Sequence, residues 1–286
     1  MENSGFEFSA TYRNHDHPFK YDISANLSTL RNRVTSLGFG TKSYITGAYA
    51  TYVGKEIGKF YGWVYEGIAR TQSDLDNHAT QQGANVGDCL YKDISGPNGE
   101  PDGVIDAYDQ TVLGSGLAKM NFGLSAHMEH KGFDLSISTY GALNYHVADD
   151  IYNSLNSCYG WGNKDVAMAD ANRFSEDGST YLSNVPRTYV DNKGTLAWND
   201  LFSSRKIQNA AYWKIANVEL GYNFPDRWFK GLVTGVRAYV SAQNLYTFTG
   251  YKGYNVDYAG GTFTPGYNFC SFPSARSFMA GLHFTF

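Results

Sequence analysis

The densest group of chemically capable side chains lies between residues 93 and 109. Asn98-Gly99-Glu100-Pro101-Asp102-Gly103-Val104-Ile105-Asp106-Ala107-Tyr108-Asp109 places oxygen-bearing side chains at positions one, three, five, nine and twelve of a twelve-residue loop, with Gly103 at position six. A loop wraps calcium with this spacing, because a hard cation needs several oxygens at short range and the glycine permits the sharp turn. Position one is Asn98 instead of Asp, position twelve is Asp109 instead of a bidentate Glu, and Pro101 stiffens the backbone. Asp93 is therefore the candidate for the missing charge. The expected Ca²⁺ ligands are Asp93, Asn98, Asp102, Asp106 and Asp109; the alternative is an acidic turn that needs no metal.

A second chemistry is ring stacking supported by amide and carboxylate hydrogen bonds, the means by which proteins grip sugars. Residues 146–211 supply Tyr152, Asn153, Asn156, Tyr159, Trp161, Asn163, Asp165 and Trp198, and residues 249–275 add Tyr254, Asn255, Tyr258 and Tyr267. Tyr159, Trp161, Trp198, Tyr254 and Tyr258 are the expected substrate contacts; the competing reading has them packing the loops or touching a partner protein. Catalysis is not expected. Gly38-Phe39-Gly40-Thr41-Lys42-Ser43 lacks the Walker spacing, and neither G-x-S-x-G nor H-E-x-x-H occurs. A net charge of −4 gives no footprint for nucleic acid.

The elements that must position these groups read as strands. No apolar run approaches the roughly 18 residues of a transmembrane helix. Period-two alternation instead recurs along most of the chain. Phe6, Phe8, Ala10 and Tyr12 oppose Glu7, Ser9 and Thr11; Phe19, Tyr21, Ile23, Ala25 and Leu27 oppose Lys20, Asp22, Ser24 and Asn26. The same pattern runs through residues 120–129, 133–140 and 236–243, and through the last strand, where Phe278, Ala280, Leu282, Phe284 and Phe286 share a face. Residues 43–53, 59–69 and 212–223 are weaker candidates; in the last of these Lys214 interrupts the apolar face, a place tolerable only where it can snorkel to an interface. About nine strands are expected.

Strands of this length with one apolar and one polar face, ending on a terminal aromatic, fit a transmembrane β-barrel, where half the residues face a polar lumen. The aromatic content of 16% and 31 glycines agree with it. Connections alternate in length: 14–17, 54–58, 130–132 and 225–234 are short, whereas 29–42, 70–116, 146–211 and 249–275 are long. Outer-membrane barrels have short periplasmic turns and long extracellular loops. Aromatics gather at both ends, with Tyr222, Phe224, Trp228, Phe229, Phe284 and Phe286 at the expected periplasmic rim and Tyr212, Trp213, Tyr246, Phe248 and Tyr251 at the outer one. A soluble sandwich or fibre is the alternative, disfavoured because such apolar faces aggregate in water.

At this point several stretches resemble the SusC/RagA family of TonB-dependent outer-membrane transporters. They are Gly58-Lys59-Phe60-Tyr61-Gly62-Trp63-Val64-Tyr65-Glu66-Gly67-Ile68, Gly87-Asp88-Cys89-Leu90-Tyr91-Lys92-Asp93, Asp102-Gly103-Val104-Ile105-Asp106, Ala211-Tyr212-Trp213-Lys214-Ile215-Ala216-Asn217-Val218-Glu219-Leu220-Gly221-Tyr222 and Tyr239-Val240-Ser241-Ala242-Gln243-Asn244-Leu245-Tyr246. The resemblance implies an all-β fold: the C-terminal portion of a transmembrane antiparallel β-barrel of roughly 22 strands closed around a plug. It also implies import of oligosaccharide or peptide across the bacterial outer membrane, with a SusD-like surface lipoprotein as lid and the TonB complex as motor.

Residues 1–286 would then be one barrel portion, with the plug, the early strands and the TonB-contacting region lying elsewhere. No charged segment followed by an apolar one opens the chain, so no signal peptide is expected. Asn255-Val256-Asp257 departs from the family's pattern in its loop. Cys89, Cys158 and Cys270 have no CxxC spacing; one disulfide with a free thiol, or three thiols, fit equally. Two other functions remain open from sequence: a surface glycan-binding or adhesive β-protein without transport, and a passive porin fragment.

Overall fold

The computed structural model describes residues 1–157, 163–166, 174–188, 198–229, 233–257 and 260–286. Seven long strands build the main sheet: β1 (Glu7–Asn14), β2 (Phe19–Thr29), β3 (Met120–His130), β4 (Phe133–Leu143), β5 (Tyr212–Phe224), β6 (Gly235–Thr249) and β7 (Ser277–Thr285). They pair in chain order, every pair antiparallel, so the sheet is an up-and-down meander. Among the described residues β1 and β7 each pair on one side only, so the sheet is open at two edges.

The alternation in sequence becomes a difference between faces. Phe8, Ile23, Leu124, Leu220, Val240, Phe278, Leu282 and Phe284 are exposed on one face, although each is large and apolar. Strand pairing keeps them in rows: Leu27 lies opposite Phe8, Leu220 opposite Val240, and Val240 opposite Ala280. A face this apolar and this continuous suits lipid. The tight end of the β3–β4 hairpin is Lys131-Gly132, where both residues have positive φ (48° and 87°). A two-residue connection needs that geometry to match the twist of its strands.

Residues 15–18 and 225–234 turn at that same end, and the three long connections, residues 30–119, 144–211 and 250–276, leave from the opposite end of the sheet, as a meander requires. They are folded. Ser43–Thr46, Tyr49–Tyr52, Lys59–Gly62 and Thr111–Gly114 form a four-stranded sheet, Tyr65–Ile68 pairs with Cys89–Tyr91, and His146–Asp149 lies between Gln208–Asn209 and Tyr267–Asn268. Helix α1 (Gln72–Asp76) starts on a capping box between Thr71 and Asp74, and α2 (Asp150–Leu155) starts on Asp149.

Two expected barrel strands, 43–53 and 59–69, are therefore corrected: they break into short strands of the loop body. Gly47, Gly54 and Gly58 at positive φ interrupt them, and their alternation serves a small water-facing core instead of lipid. Because the two were removed as a pair, the alternation of short and long connections survives.

The buried core also sits mostly in this loop body. Tyr49, Phe60 and Ala148 form one cluster, Cys89, Tyr91, Ile105 and Trp198 a second, and Tyr145, Val147, Ala210, Tyr212, Tyr251 and Val256 a third. Tyr212 and Tyr251, expected at the outer aromatic girdle, belong to that third cluster. Their neighbours Trp213 and Phe248 do stack face to face at 5.3 Å, with Tyr246 4.7 Å from Phe248. At the other rim Phe224 contacts Tyr222, Trp228 and Phe229 at 5.0, 5.7 and 6.4 Å. No disulfide joins the described cysteines: Cys89 is buried in the loop core, Cys270 is exposed, and Cys158 lies outside the described residues.

Candidate functional site on the polar wall

The polar face of the sheet brings opposite charges together at two places. Near the tight-turn end, the Arg237 guanidinium donates to both carboxylate oxygens of Asp134, from Nε at 3.0 Å and from Nη2, and to Glu219 at 2.7 Å. Asn223 donates to Asp134 at 3.0 Å. Strand register brings them together: Asp134 pairs with Gly221, and Gly221 with Tyr239. A Cβ at Gly221 would stand 2.5 Å from both Arg237 Nη2 and Asp134 Oδ2, so the glycine clears the space that this network fills. These charges bond one another, one guanidinium shared by two carboxylates, so the cluster keeps one net negative charge.

Toward the loop end, Lys214 sits differently from its sequence expectation. A register shift between Ile215 and Asn217 moves one residue past the partner strands. On β6 the compensating residue is Asn244, held at φ 51°, a conformation that Asn tolerates better than most residues. Below the bulge Asn217 and Glu219 face the polar side; above it Lys214 and Tyr212 do. Lys214 is thus on the polar wall, 4% exposed, and not on the lipid face. Its Nζ donates to Asp257 Oδ2 at 2.5 Å, and the Tyr140 hydroxyl donates to the same oxygen at 3.1 Å. Asp257, in the loop segment that departs from the family pattern, pins residues 250–257 to the wall.

Further bonds fix that loop. Asp149 accepts from the Tyr251 hydroxyl, from Asn268 at 2.8 Å and from the Tyr152 amide at 2.7 Å; the Tyr145 hydroxyl donates to the Val256 carbonyl at 2.9 Å. Burial, reinforced by Asp257, pushes the Tyr145 hydroxyl well above the usual phenol range; burial and the bond to Asp149 do the same for Tyr251. Both remain protonated donors across the physiological range.

Hollows flank this loop. One of about 350 Å³ is lined by Lys214, Asn244, Thr247, Tyr254, Asn255 and Arg276. A second of about 370 Å³ is lined by Ala118, Asn121, Tyr140, Tyr145, Tyr212 and Asp257. A third, about 390 Å³, continues along the wall past Asn26, Asn121, Ser125, Ser138 and Tyr140. The Lys214–Asp257 pair stands between the first two. Hydroxyls, amides and ring faces along such a row suit an extended, polar, neutral-backboned ligand.

The sequence-expected sites divide unevenly. Tyr254 does line the first hollow. Trp198 does not face a ligand: it is 5% exposed, packs 6.2 Å from Tyr91, and its indole nitrogen donates to the Gln82 carbonyl at 2.9 Å. Tyr159, Trp161 and Tyr258 lie outside the described residues. In the 93–109 loop the carboxylates serve the backbone. Asp109, fully buried, accepts the amides of Ile94 at 2.7 Å, Ser95 at 3.1 Å and Asp106 at 2.8 Å. Asp106 caps Tyr108, Asp102 accepts from Val104, and Asp93 accepts from Gly103. Among the described residues no three acidic, His or Cys side chains converge as a metal centre would, and Asn98 is exposed.

Sequence reasoning noticed Lys214 and the segment holding Asp257 separately, without pairing them, and did not single out Asn244 or Arg276. A lysine inside an otherwise apolar strand was the available signal, since such a charge requires a partner.

No family model matches the chain. Over its full length it is 29% identical to TonB-dependent receptor P3 of Formosa agariphila and 26% identical to TonB-dependent receptor SusC of Bacteroides thetaiotaomicron. It spans 29% and 26% of the lengths of those two relatives. The fold matches a solved RagAB peptide transporter with a TM-score of 0.76 at 22% identity, covering 99% of this chain and 29% of that one. The open meander and its lipid-type face agree with these similarities: the chain resembles one portion of TonB-dependent receptors, SusC among them, and shares the β-barrel fold of the matching part of the RagAB structure.

Proposed function

We propose that the chain forms part of the barrel wall and extracellular mouth of a TonB-dependent importer, its C-terminal portion, and that the imported nutrient is an oligosaccharide or a peptide. The observation that carries this reading is the division of one sheet into an apolar face that exposes Phe8, Leu124, Leu220, Val240, Phe278 and Leu282 and a polar face lined by hollows. The polar wall would border the lumen, and the folded connections would surround its outer opening. The open edges at β1 and β7 would be covered by further strands, since unpaired backbone is not tolerated in lipid. A SusD-like lipoprotein would seat on the loop body, and coupling to the TonB complex would reside in a plug outside residues 1–286.

Uptake by cells carrying the full-length gene tests this. Deleting residues 250–276 in frame should abolish accumulation of a labelled oligosaccharide or peptide while the protein still reaches the outer membrane. Undiminished uptake would reject the reading. Co-purification of a surface lipoprotein from detergent extracts, lost on the same deletion, tests the partner.

A further inference from the structure

The hollow between β6 and residues 253–256 carries two cations. Lys214 is neutralised by Asp257. Arg276 also lines the hollow, is exposed, and among the described residues has no carboxylate within ion-pair distance. Its position is built. The bulge residue Asn244 donates from Nδ2 to the Ala275 carbonyl at 2.9 Å, fixing the peptide immediately before Arg276. β7 then pairs at once, Ser277 opposite Gln243. The backbone of Arg276 is therefore fixed beside a cavity that its side chain lines, and Asn255, Tyr254, Thr247 and Ser274 offer that cavity only neutral hydrogen-bonding atoms and a ring.

We propose that this hollow is a subsite for a carboxylate on the transported ligand, read by Arg276. A planar guanidinium matches a carboxylate through two parallel bonds, and a site with a single uncompensated positive charge favours a monoanion. Asn255 and Thr247 would hold neighbouring polar atoms of the ligand, and Tyr254 would cover it. Asp257 serves the same selection from the other side: by holding Lys214 it keeps the net charge of the hollow at one. This inference rests on the import reading above and narrows it, because two ligand classes offer such a group, a peptide through its C-terminus and a polysaccharide through a uronic acid.

The test uses the full-length protein in detergent and isothermal titration with two matched pairs. One is an N-acetylated hexapeptide as free acid and as amide; the other is tetragalacturonate with galactotetraose. The expected result is that the acid of one pair binds at least tenfold more tightly than its neutral partner. Arg276→Gln should remove that preference without weakening the neutral ligand, and Arg276→Lys should keep only part of it. Which pair shows the preference identifies the source of the carboxylate. Equal binding of acid and neutral forms, or a preference that survives Arg276→Gln, overturns the subsite and leaves the import reading intact. Binding by neither pair also overturns it, while uptake by cells decides the import reading separately.

Discussion

The membrane sheet and the loop body obey opposite rules of burial within one chain. In the sheet the large apolar side chains point outward and stay exposed, while Arg237, Asp134 and Glu219 meet on the inner face. In the loops Tyr91, Phe60 and Val147 are buried, and charges go inside only with a partner: Asp88 with Arg187, Glu56 with Lys119 and Ser115. Each region is arranged for its own solvent. Lipid rewards exposed hydrocarbon and forbids unpaired backbone, whereas water rewards a closed core. The sheet therefore needs few buried side chains, and the loops need many.

That contrast can be broken most severely at Asp88. It is 3% exposed and held by a two-pronged bond from Arg187 at 2.6 and 2.9 Å, with Asn199 and the Asn85 amide completing its shell. Arg187→Ala should destabilise the loop body by about 3 kcal/mol, because it leaves a buried charge short of its counter-ion. Protease sensitivity of residues 85–91 should rise while the sheet remains resistant. If the sheet melts with the loops, the two regions are not separate bodies.

A charge placed in the sheet tests the other rule. Val240→Arg, on the lipid face, should cost about 2–4 kcal/mol in a bilayer, whereas Gln243→Arg on the polar face of the same strand should cost far less. Folding titrations into lipid vesicles would measure both, and equal effects would mean that the faces are wrongly assigned. Gly221→Ala is a smaller perturbation. Its methyl would crowd Arg237 and Asp134, and overpacking of this kind costs about 1–3 kcal/mol. Pairing it with Asp134→Ala, which removes the crowded partner, should reduce the loss.

The smallest effect is a pH response in a loop. Hydrogen bonds from the Ser175 hydroxyl first, then from the amide and hydroxyl of Ser179, hold the Asp177 carboxyl at about 2, below the usual 3.8. A depressed value means that the turn is supported above the ordinary carboxylate range and loses support as pH falls through about 2. Hydrogen exchange at Ser179 and Thr180, corrected for intrinsic rates, should accelerate below about pH 4. Asp177→Asn should show no such step.

Much of the sheet was legible because period-two alternation is a local property. Each of the seven strands carries its own record of which face meets lipid, and pairing only aligns those records. The strands at 43–46, 49–52 and 59–62 show the same local pattern and were misread for that reason, since alternation reports one apolar side without naming the solvent beyond it. The site was less legible. Tyr254 could be picked out as a candidate because aromatic residues in a long loop are visible as such, and it does line a hollow. Trp198 was misjudged because nothing local says whether an indole faces a ligand or Tyr91. The 93–109 loop shows a calcium-like spacing, yet its carboxylates turn inward to the amides of Ile94, Ser95 and Gly103, a choice made by loop conformation.

The sequence by itself determined an apolar outer face, a polar inner one, and the sidedness of the connections, because side chains alternate along a strand whatever it pairs with. Only the tertiary structure decided where that alternation slips. One bulge, with Asn244 at positive φ across from it, turns Lys214 from the lipid side to the polar wall, where Asp257 arrives from 43 residues away in sequence to meet it. Partners that distant are set by how loops pack onto the wall, and no local pattern of residues records that.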